Sequence, residues 1–155
     1  MSFSLSDNPI FEQFDERERT LLESVMKART LSAGEYLFRG GDIARGCFFV
    51  LSGSVEIGLE NDSGFQTLAT QTVGDIVGEL ALIDGGRRSA ACRGLSDDTQ
   101  LAELYRDDFD LVFNAGSPFA YHLLDLISER IIDRLRGAVK ELSQVIDTER
   151  TPAES

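Results

Sequence analysis

The sequence predicts a mainly β protein, an antiparallel β-roll or jelly-roll barrel with an N-terminal helix and a long C-terminal helix. Residues 34–106 alternate short apolar segments with turns rich in Gly and Asp, which is typical of antiparallel strands. Apolar residues at helical spacing precede this region, and a long helical pattern follows it. With 155 residues, 42% of them hydrophobic, the chain has the size and composition of one domain with a substantial core.

The N-terminal region, residues 8–30, is predicted to be helical. Asn8-Pro9 indicates a short leading turn. Asp15, followed three residues later by Glu18, forms a capping-box pattern that marks the start of a helix. The apolar residues that then recur at helical spacing are Leu21, Leu22, Val25 and Met26.

The β-roll is predicted over residues 34–106. GCFFVLSG at 46–53 indicates an apolar strand between glycines. In the next strand, SVEIGLE, the residues Val55, Ile57 and Leu59 face one way, while Glu56 and Glu60 face the other. NDSG at 61–64 is a turn, FQTLATQTV returns from it, and DTQLAELYR at 98–106 is a later strand.

Two helices are predicted after the roll. Residues 107–116 form a short hinge helix, which begins at Asp107 and Asp108 and is stopped by Gly116. Ser117-Pro118 then opens a long helix over 117–147, because a capping residue followed by proline is favoured in a first turn. Residues 148–155 are polar and are expected to form a tail.

The charge of the chain disfavours several classes of partner. Fifteen basic and 27 acidic residues give a net charge of −12. Such a chain is repelled by nucleic-acid phosphates and by acidic membrane surfaces, so neither is expected as a partner. No signal peptide opens the sequence and no apolar segment is long enough to cross a bilayer, which predicts a cytoplasmic protein.

Cysteine and histidine usage argue against a metal site and against catalysis. Cys47 and Cys92 have no metal or redox spacing and are expected to be buried thiols. His122 is the single histidine of the sequence, so a metal site built from several histidines is excluded. A Ser-His-Asp set would depend on His122 alone. We therefore expect no enzyme, no metal and no cofactor.

The stretch VGELALIDGGRRSAA, at 77–91, has the composition of a ligand-binding loop. A helical turn from Gly78 to Leu82 would offer backbone N–H groups to an anion, and glycine allows close approach. Arg88 can hold two oxygens of a phosphate with its planar guanidinium. A phosphate would repel Glu79, which therefore needs a donor such as a ribose hydroxyl. A phosphate beside a sugar hydroxyl indicates a nucleotide.

GELALIDGGRRSAA, which contains the cassette at 78–90, resembles the phosphate-binding cassette of cyclic nucleotide-binding domains. These domains occur in bacterial catabolite activators, in regulatory subunits of cAMP-dependent kinases and in gated channels. LFRGGDIARGCFFVLSGSVEI, at 37–57, is similar to the family's glycine-aspartate turn and the strands after it. LAELYRDDFDLVF, at 101–113, resembles the last strand and the following short helix. The resemblance thus extends over most of the chain.

The resemblance implies a role for each cassette position. Glu79 would accept the ribose 2′-hydroxyl, and Arg88 would hold the cyclic phosphate. Ser89 matches a position that touches phosphate or base, and Arg87 stands where many members have proline, so its side chain is expected in solvent. The complete ligand-binding set is Gly78, Glu79, Leu80, Ala81, Arg88, Ser89 and Ala90, in which Gly78, Leu80 and Ala81 supply backbone contacts.

The long helix is expected to cap the base. In catabolite activators a Thr-Ser pair on this helix reaches the adenine, and the matching positions here are Ala138 and Val139. Neither side chain can hydrogen-bond, so apolar capping, with Leu135 as a third contributor, is the expected mode. Selectivity between purines is left open, with cAMP favoured over cGMP.

The same helix carries a dimerisation pattern. Apolar residues alternate by four and three, which is typical of a coiled-coil seam of about two heptads. The residues of this seam are Ile131, Leu135, Ala138, Leu142 and Val145. A parallel homodimer is expected, and the alternative is an amphipathic helix that lies wholly on its own domain.

The expected function is that of a stand-alone cytoplasmic cAMP sensor. The nucleotide would favour a state in which the C-terminal helices close over the cassette, and an unknown effector protein would recognise that state. One alternative is a non-binding interaction module of the same fold, in which Glu79 and Arg88 form an internal ion pair. Another is a ligand-binding fragment of a longer transcription regulator or channel, since regulators of this type continue into a helix-turn-helix domain.

Overall fold

The computed structural model describes residues 3–150. The chain separates into two compact units, of which one extends to Pro118 and the second begins at Phe119. The first unit contains the strands and the short helices, and the second consists of the long C-terminal helix. Whether the whole chain acts as one domain stays a prediction.

The first unit opens with two capped helical segments. A 3-10 turn spans Pro9–Phe11, and the Asn8 side chain accepts a hydrogen bond from the Ile10 N–H at 3.1 Å. Helix α1 spans Glu16–Val25, where the Asp15 carboxylate accepts a hydrogen bond from the Glu18 N–H at 2.8 Å. The capping residue inferred from the sequence is therefore the one that begins the helix.

The prediction of helix up to residue 30 is wrong. Met26 already has an extended backbone, and strand β1, Lys27–Leu31, follows it. This strand pairs antiparallel with a strand at the end of the roll, from Lys27 opposite Glu103 to Leu31 opposite Thr99. The pairing partner is more than 65 residues away in the sequence, so local helical spacing at the N-terminus carries no sign of it.

Two four-stranded antiparallel sheets form the body of the first unit. Their orders are β1-β8-β3-β6 and β2-β7-β4-β5, which confirms the mainly β class with an N-terminal helix and a long C-terminal helix. Within residues 3–150 the strands are β1 Lys27–Leu31, β2 Tyr36–Phe38, β3 Gly46–Ser52, β4 Ser54–Asn61, β5 Gly64–Thr72, β6 Ile76–Val77, β7 Ala91–Gly94 and β8 Thr99–Tyr105.

Apolar side chains from both sheets form a shared core. Both cysteines are buried there as free thiols, as predicted, and burial raises the pKa of Cys47 and raises that of Cys92 to about 12. The thiols therefore stay protonated at neutral pH. The buried cluster consists of Leu31, Phe48, Val50, Val55, Val77, Cys92 and Leu101.

Strand β4 does not keep the simple alternation predicted from the sequence, because Glu56 is buried while Leu59 is 44% exposed. Glu56 has the orientation inferred from the sequence, opposite to Val55, yet it is only 8% exposed. Arg93 on β7 donates to its carboxylate at 2.5 Å, and the Thr67 hydroxyl donates at 3.0 Å. The hydrogen bond from Arg93 is the main cause that holds the pKa of Glu56 below its usual value. A carboxylate can be buried here because a cation and a hydroxyl on neighbouring strands satisfy it.

Two helices follow the strands. Helix α2 spans Arg106–Asn114, and Gly116 has a φ of 75°, the left-handed conformation in which glycine commonly follows a helix. Helix α3 spans Pro118–Arg150, so residues 148–150, predicted as tail, continue the helix. No proline interrupts the sequence between Pro118 and Pro152, which allows this extension. The rest of the predicted tail, residues 151–155, lies outside the described residues.

The helices bear on the prediction that no segment crosses a bilayer. Among residues 3–150, none of the helices is both long enough and apolar enough to span a bilayer. Helix α3 is the longest, at 33 residues, but charged side chains recur along its whole length.

Candidate functional site

A tight turn connects β6 to β7 and contains the predicted cassette. Gly78 has a φ of 72°, and a 3-10 turn spans Glu79–Leu82 directly after it. The N–H groups of Ile83 and Asp84 both donate to the Leu80 carbonyl at 3.0 Å, which closes the turn. A left-handed residue at the entrance favours glycine, because a Cβ is strained there.

The predicted backbone donors are partly used inside the turn. The Ala81 N–H donates to the Gly78 carbonyl at 3.1 Å. The Ala81 N–H is therefore engaged within the turn in this conformation, and the backbone contact of Ala81 with a ligand stays a prediction. The reason is the tighter 3-10 winding, which turns this N–H back on the residue three positions earlier.

The Arg88 side chain connects the two ends of the cassette to β3. Its Nη2 donates to the Gly46 carbonyl at 2.7 Å, and its Nη1 donates to the Gly78 carbonyl at 3.4 Å. The guanidinium carbon lies 4.2 Å from the centroid of the Phe38 ring and 5.8 Å from that of Phe48. Two carbonyls and two aromatic rings thus fix the position of a cation.

Arg88 is a half-buried charge that has no carboxylate partner among the described residues. Within the part of the chain that the structure describes, it forms no ion pair with a carboxylate, and its Nε is buried without a hydrogen-bond partner. Burial is the main cause that lowers the pKa of Arg88 below the usual guanidinium value, and a nearby ionised Cys47 or Glu103 would raise it. A guanidinium stays charged in proteins, so this cation is available to an anion from outside.

The alternative of an internal Glu79–Arg88 ion pair is therefore not observed. The Glu79 side chain is only 1% exposed. Its charge is one of the causes that raise the pKa of the buried Cys47 thiol on β3. The cassette thus holds a buried carboxylate, Glu79, and a half-buried guanidinium, Arg88, near β3, and the two do not form an ion pair with each other. A ligand that carries both an anion and a hydroxyl donor matches this pair.

The remaining cassette residues lie at the surface. Leu80 is 52% exposed, Ser89 is exposed and Ala90 is half-buried. Arg87 is exposed as expected, but it is not simply solvated, because its Nη1 donates to the Gly41 carbonyl at 2.8 Å. Arg87 therefore holds the cassette to the turn between β2 and β3, while Arg88 points to the buried groups.

Two residues of the site were missed by sequence reasoning. Phe38 faces the Arg88 guanidinium, and the Gly46 carbonyl accepts its strongest hydrogen bond. A Cβ built at Gly46 would overlap the Leu104 carbonyl on β8, so glycine is required there by packing. Gly46 belongs to the segment at 37–57 that resembles the family's glycine-aspartate turn and following strands. A backbone carbonyl that accepts a hydrogen bond has no signature in the sequence.

The predicted base-capping residues all lie on α3, in the second unit. Leu135 is 62% exposed and Val139 is 56% exposed, and Ala138 is exposed as well. Three apolar or small side chains on one exposed stretch of helix suit an apolar surface such as a purine or another helix. Their assignment to the base stays a prediction.

Gly78→Ala is expected to lower the free energy of unfolding by about 1 to 3 kcal/mol, the cost of a left-handed residue that is not glycine. The new Cβ would also overlap Nη1 of Arg88 and displace it. Urea unfolding measures the change. Gly86→Ala is the matched control, because the nearest atom to its Cβ is 3.5 Å away and its φ is not left-handed. Equal losses in the two variants would contradict this role of Gly78.

The arrangement of His, Cys, Asp and Glu side chains bears on the prediction of no metal. Among residues 3–150, no group of three or more His, Cys, Asp or Glu side chains is arranged so that it could hold a metal ion.

Comparison with known proteins identifies the family. The model of the cyclic nucleotide-binding domain matches residues 28–115, which is more than half of the chain. This chain belongs to the cyclic nucleotide-binding domain family. The matched range contains β1 from its second residue, β2 to β8, the cassette and α2.

Individual relatives agree with this assignment. The chain is 29% identical over 128 residues to the cyclic AMP receptor protein of Thermus thermophilus, which covers 82% of this chain and 59% of that protein. A cyclic nucleotide-binding domain from Methylobacillus flagellatus is 26% identical, with a TM-score of 0.72 over 90% of this chain and 79% of that one. A c-di-GMP-responsive global regulator from Xanthomonas campestris is 27% identical, also with a TM-score of 0.72. The match covers 85% of this chain and 65% of that one.

The lengths of these proteins limit what the likeness shows. The chain spans 59% of the length of the Thermus thermophilus receptor. The names of the two proteins with solved structures refer to different ligands. The Methylobacillus flagellatus domain is named for cyclic nucleotides, and the Xanthomonas campestris regulator for c-di-GMP. The family and the fold are therefore shared, and the ligand of this chain has to be argued from its own residues.

Proposed function

We propose that this chain binds a cyclic nucleotide, cAMP in preference to cGMP, and acts as a cytoplasmic regulatory sensor. The observation that carries the proposal is the Arg88 guanidinium, which is held by the Gly46 and Gly78 carbonyls and has no carboxylate partner among the described residues. A half-buried cation whose Nε is buried without a hydrogen bond loses part of its solvation, and a bound phosphate would offset that cost.

The other cassette residues are given the roles that fit their positions. Arg88 holds the cyclic phosphate, and its buried Nε donates to one phosphate oxygen. The buried Glu79 carboxylate accepts the ribose 2′-hydroxyl. Gly78 and Leu80 contact the ligand through their backbone, with Ala81 doing so once its bond to the Gly78 carbonyl opens. Ser89 and Ala90 complete the cassette.

The base is capped by apolar contact, through Leu135, Ala138 and Val139. Exposed apolar side chains on α3 support this choice, since none of the three can recognise a purine through its side chain by hydrogen bonds. The preference for cAMP over cGMP is then modest, because it depends on desolvation of the base edges and not on a matched donor or acceptor.

Signalling follows from a shift between two populations. The nucleotide binds one arrangement of the C-terminal helices more tightly, so it raises the share of that arrangement, and an effector protein reads the change. No catalytic step is needed. The net charge of −12 supports the expectation that neither nucleic acid nor an acidic membrane is the effector.

The calorimetric titration of the chain with cAMP, cGMP, c-di-GMP and 5′-AMP tests the proposal. Saturable binding of cAMP with one site per chain is expected, tighter than that of cGMP. The linear phosphate of 5′-AMP and the larger c-di-GMP serve as controls for cyclic phosphate geometry. Absence of binding by every cyclic mononucleotide would leave the non-binding module as the function.

The proposed sensor is a homodimer that pairs through α3. Leu135, Leu142 and Val145 are each more than half exposed, at 62%, 61% and 54%, and they belong to one seam with Ile131 and Ala138. Exposed leucine and valine at alternating spacings of four and three are favourable contacts for a second helix of the same kind.

Leu135→Asp with Leu142→Asp is expected to give a folded monomer that binds cAMP more weakly, because dimer and ligand contacts are coupled reciprocally. Sedimentation gives the mass and calorimetry gives the affinity. Gly137→Asp with Gln144→Asp is the matched control, since it adds the same charge on the opposite side of the helix. The native chain sedimenting as a monomer at micromolar concentration with cAMP present would refute the dimer.

A further inference from the structure

Strand β5 leaves one edge of its sheet without a neighbour. In the order β2-β7-β4-β5, residues Gly64–Thr72 pair with β4 on one side, and no strand of the described chain pairs on the other. An edge of nine residues presents a row of backbone donors and acceptors. Such an edge is a template for another strand unless charge, proline or a covering segment protects it.

Both faces of β5 are accessible as well as its edge. Only Phe65 and Gln71 are half-buried, and the other residues of the strand are exposed. Leu68 is 57% exposed, and Val73 just after the strand is 44% exposed. A strand that covers so little of the core leaves apolar side chains in water, which favours its burial against a partner.

The composition of β5 is unusual for this chain. Residues 63–74 contain no charged side chain and no proline, although the chain carries 42 charged residues. Three threonines, Phe65 and Val73 are residues that favour strands, and the segment is free of charge. The protection that charge gives to exposed edges is therefore absent at the longest edge of the molecule.

The other sheet edges are poor partners for β5. Strand β1 carries Lys27 and Arg29, β2 has three residues, and β6 has two. Two copies of a chain with a net charge of −12 repel each other, but a seam formed by 63–74 of each copy adds no like charges at the contact. The best complement to β5 is thus β5 itself.

We propose that β5 pairs antiparallel with β5 of a second copy of this chain, across a two-fold axis. The same segment then serves both partners, so the contact closes on itself as a dimer. A β-bulge interrupts the register with β4 between Ile57 and Gly58, where Leu68 is the extra residue. The bulge shortens the regular edge, so the association is expected to be weak, with a Kd of about 0.1 to 1 mM.

Hydrogen exchange at two concentrations tests this pairing. Amides of residues 63–74 that point away from β4 are expected to exchange about two- to fourfold more slowly at about 1 mM than at about 10 µM, as a Kd of about 0.1 to 1 mM requires, while the sedimentation mass rises. The readout is local to β5, so association through α3 does not imitate it. Exchange that is independent of concentration in this segment would overturn the proposal, and this measurement needs no variant.

Substitution of the edge gives the second arm. Leu68→Lys with Thr70→Lys places like charges at the seam and should abolish the concentration-dependent protection, with unfolding by urea unchanged. Thr20→Lys with Leu21→Lys is the matched control on the exposed side of α1 and should keep the protection. Protection of residues 63–74 that survives the β5 substitutions would contradict the symmetric contact.

Discussion

Arg88→Ala is expected to weaken cAMP binding by about thirty-fold to several thousand-fold. Loss of one partner of a buried, hydrogen-bonded charge pair costs about 2 to 5 kcal/mol, and 1.4 kcal/mol corresponds to a factor of ten. The guanidinium is held by two backbone carbonyls and the Phe38 ring, so no other cation of the cassette can take its place without moving. Calorimetric titration measures the loss.

Arg87→Ala is the matched control for this prediction. Its side chain is exposed and donates to one backbone carbonyl, that of Gly41, so the substitution removes a neighbouring arginine and a hydrogen bond without touching the proposed phosphate site. Little change in affinity is expected. Arg88→Lys, which keeps the charge but loses the planar fork, should fall between the two. Equal effects of Arg87→Ala and Arg88→Ala would show that the cassette register is wrong.

Loss of the Glu79 carboxylate is the second large effect expected. Glu79→Ala should weaken cAMP binding strongly, because the buried carboxylate is the proposed acceptor of the 2′-hydroxyl, while Glu79→Gln should keep part of the affinity through its amide oxygen. The native chain should bind 2′-deoxy-cAMP poorly. The Glu79→Ala variant should bind 2′-deoxy-cAMP almost as well as it binds cAMP, since the substitution and the missing hydroxyl delete the same interaction.

The four affinities form a double-mutant cycle. A coupling between the carboxylate and the hydroxyl is the signature of a direct contact. Urea unfolding of each variant separates this effect from a general loss of folding, because Glu79 lies beside the buried Cys47. Additive losses across the cycle would remove Glu79 from the site.

Local signals in the sequence were sufficient for the features that local chemistry decides. The Asp15 cap and the burial of both cysteines follow from residue type and nearest neighbours. The cassette could also be located, because its glycine, carboxylate and arginine are close together in the sequence. Together these residue types fit a phosphate beside a sugar hydroxyl. The mainly β class followed from the spacing of turns.

Features that depend on distant pairing could not be derived in this way. Strand β1 was taken for helix, since its partner β8 is far along the chain. The alternation of β4 predicts the direction of the Glu56 side chain but not its burial, which depends on Arg93 and Thr67 from neighbouring strands. The Gly46 carbonyl at Arg88 is a backbone group whose position only the folded sheet determines. In each case tertiary contacts outweigh local preference.

The nuclear magnetic resonance signal of the Arg88 Nε–H tests the central claim most directly. This donor is buried without a partner in the ligand-free chain, and Arg88→Lys identifies its resonance. On saturation with cAMP the proton is expected to shift downfield and to exchange more slowly, because a phosphate oxygen accepts its hydrogen bond, whereas adenosine should leave it unchanged. A resonance that stays in place while calorimetry shows cAMP fully bound would contradict the assignment of the phosphate to Arg88.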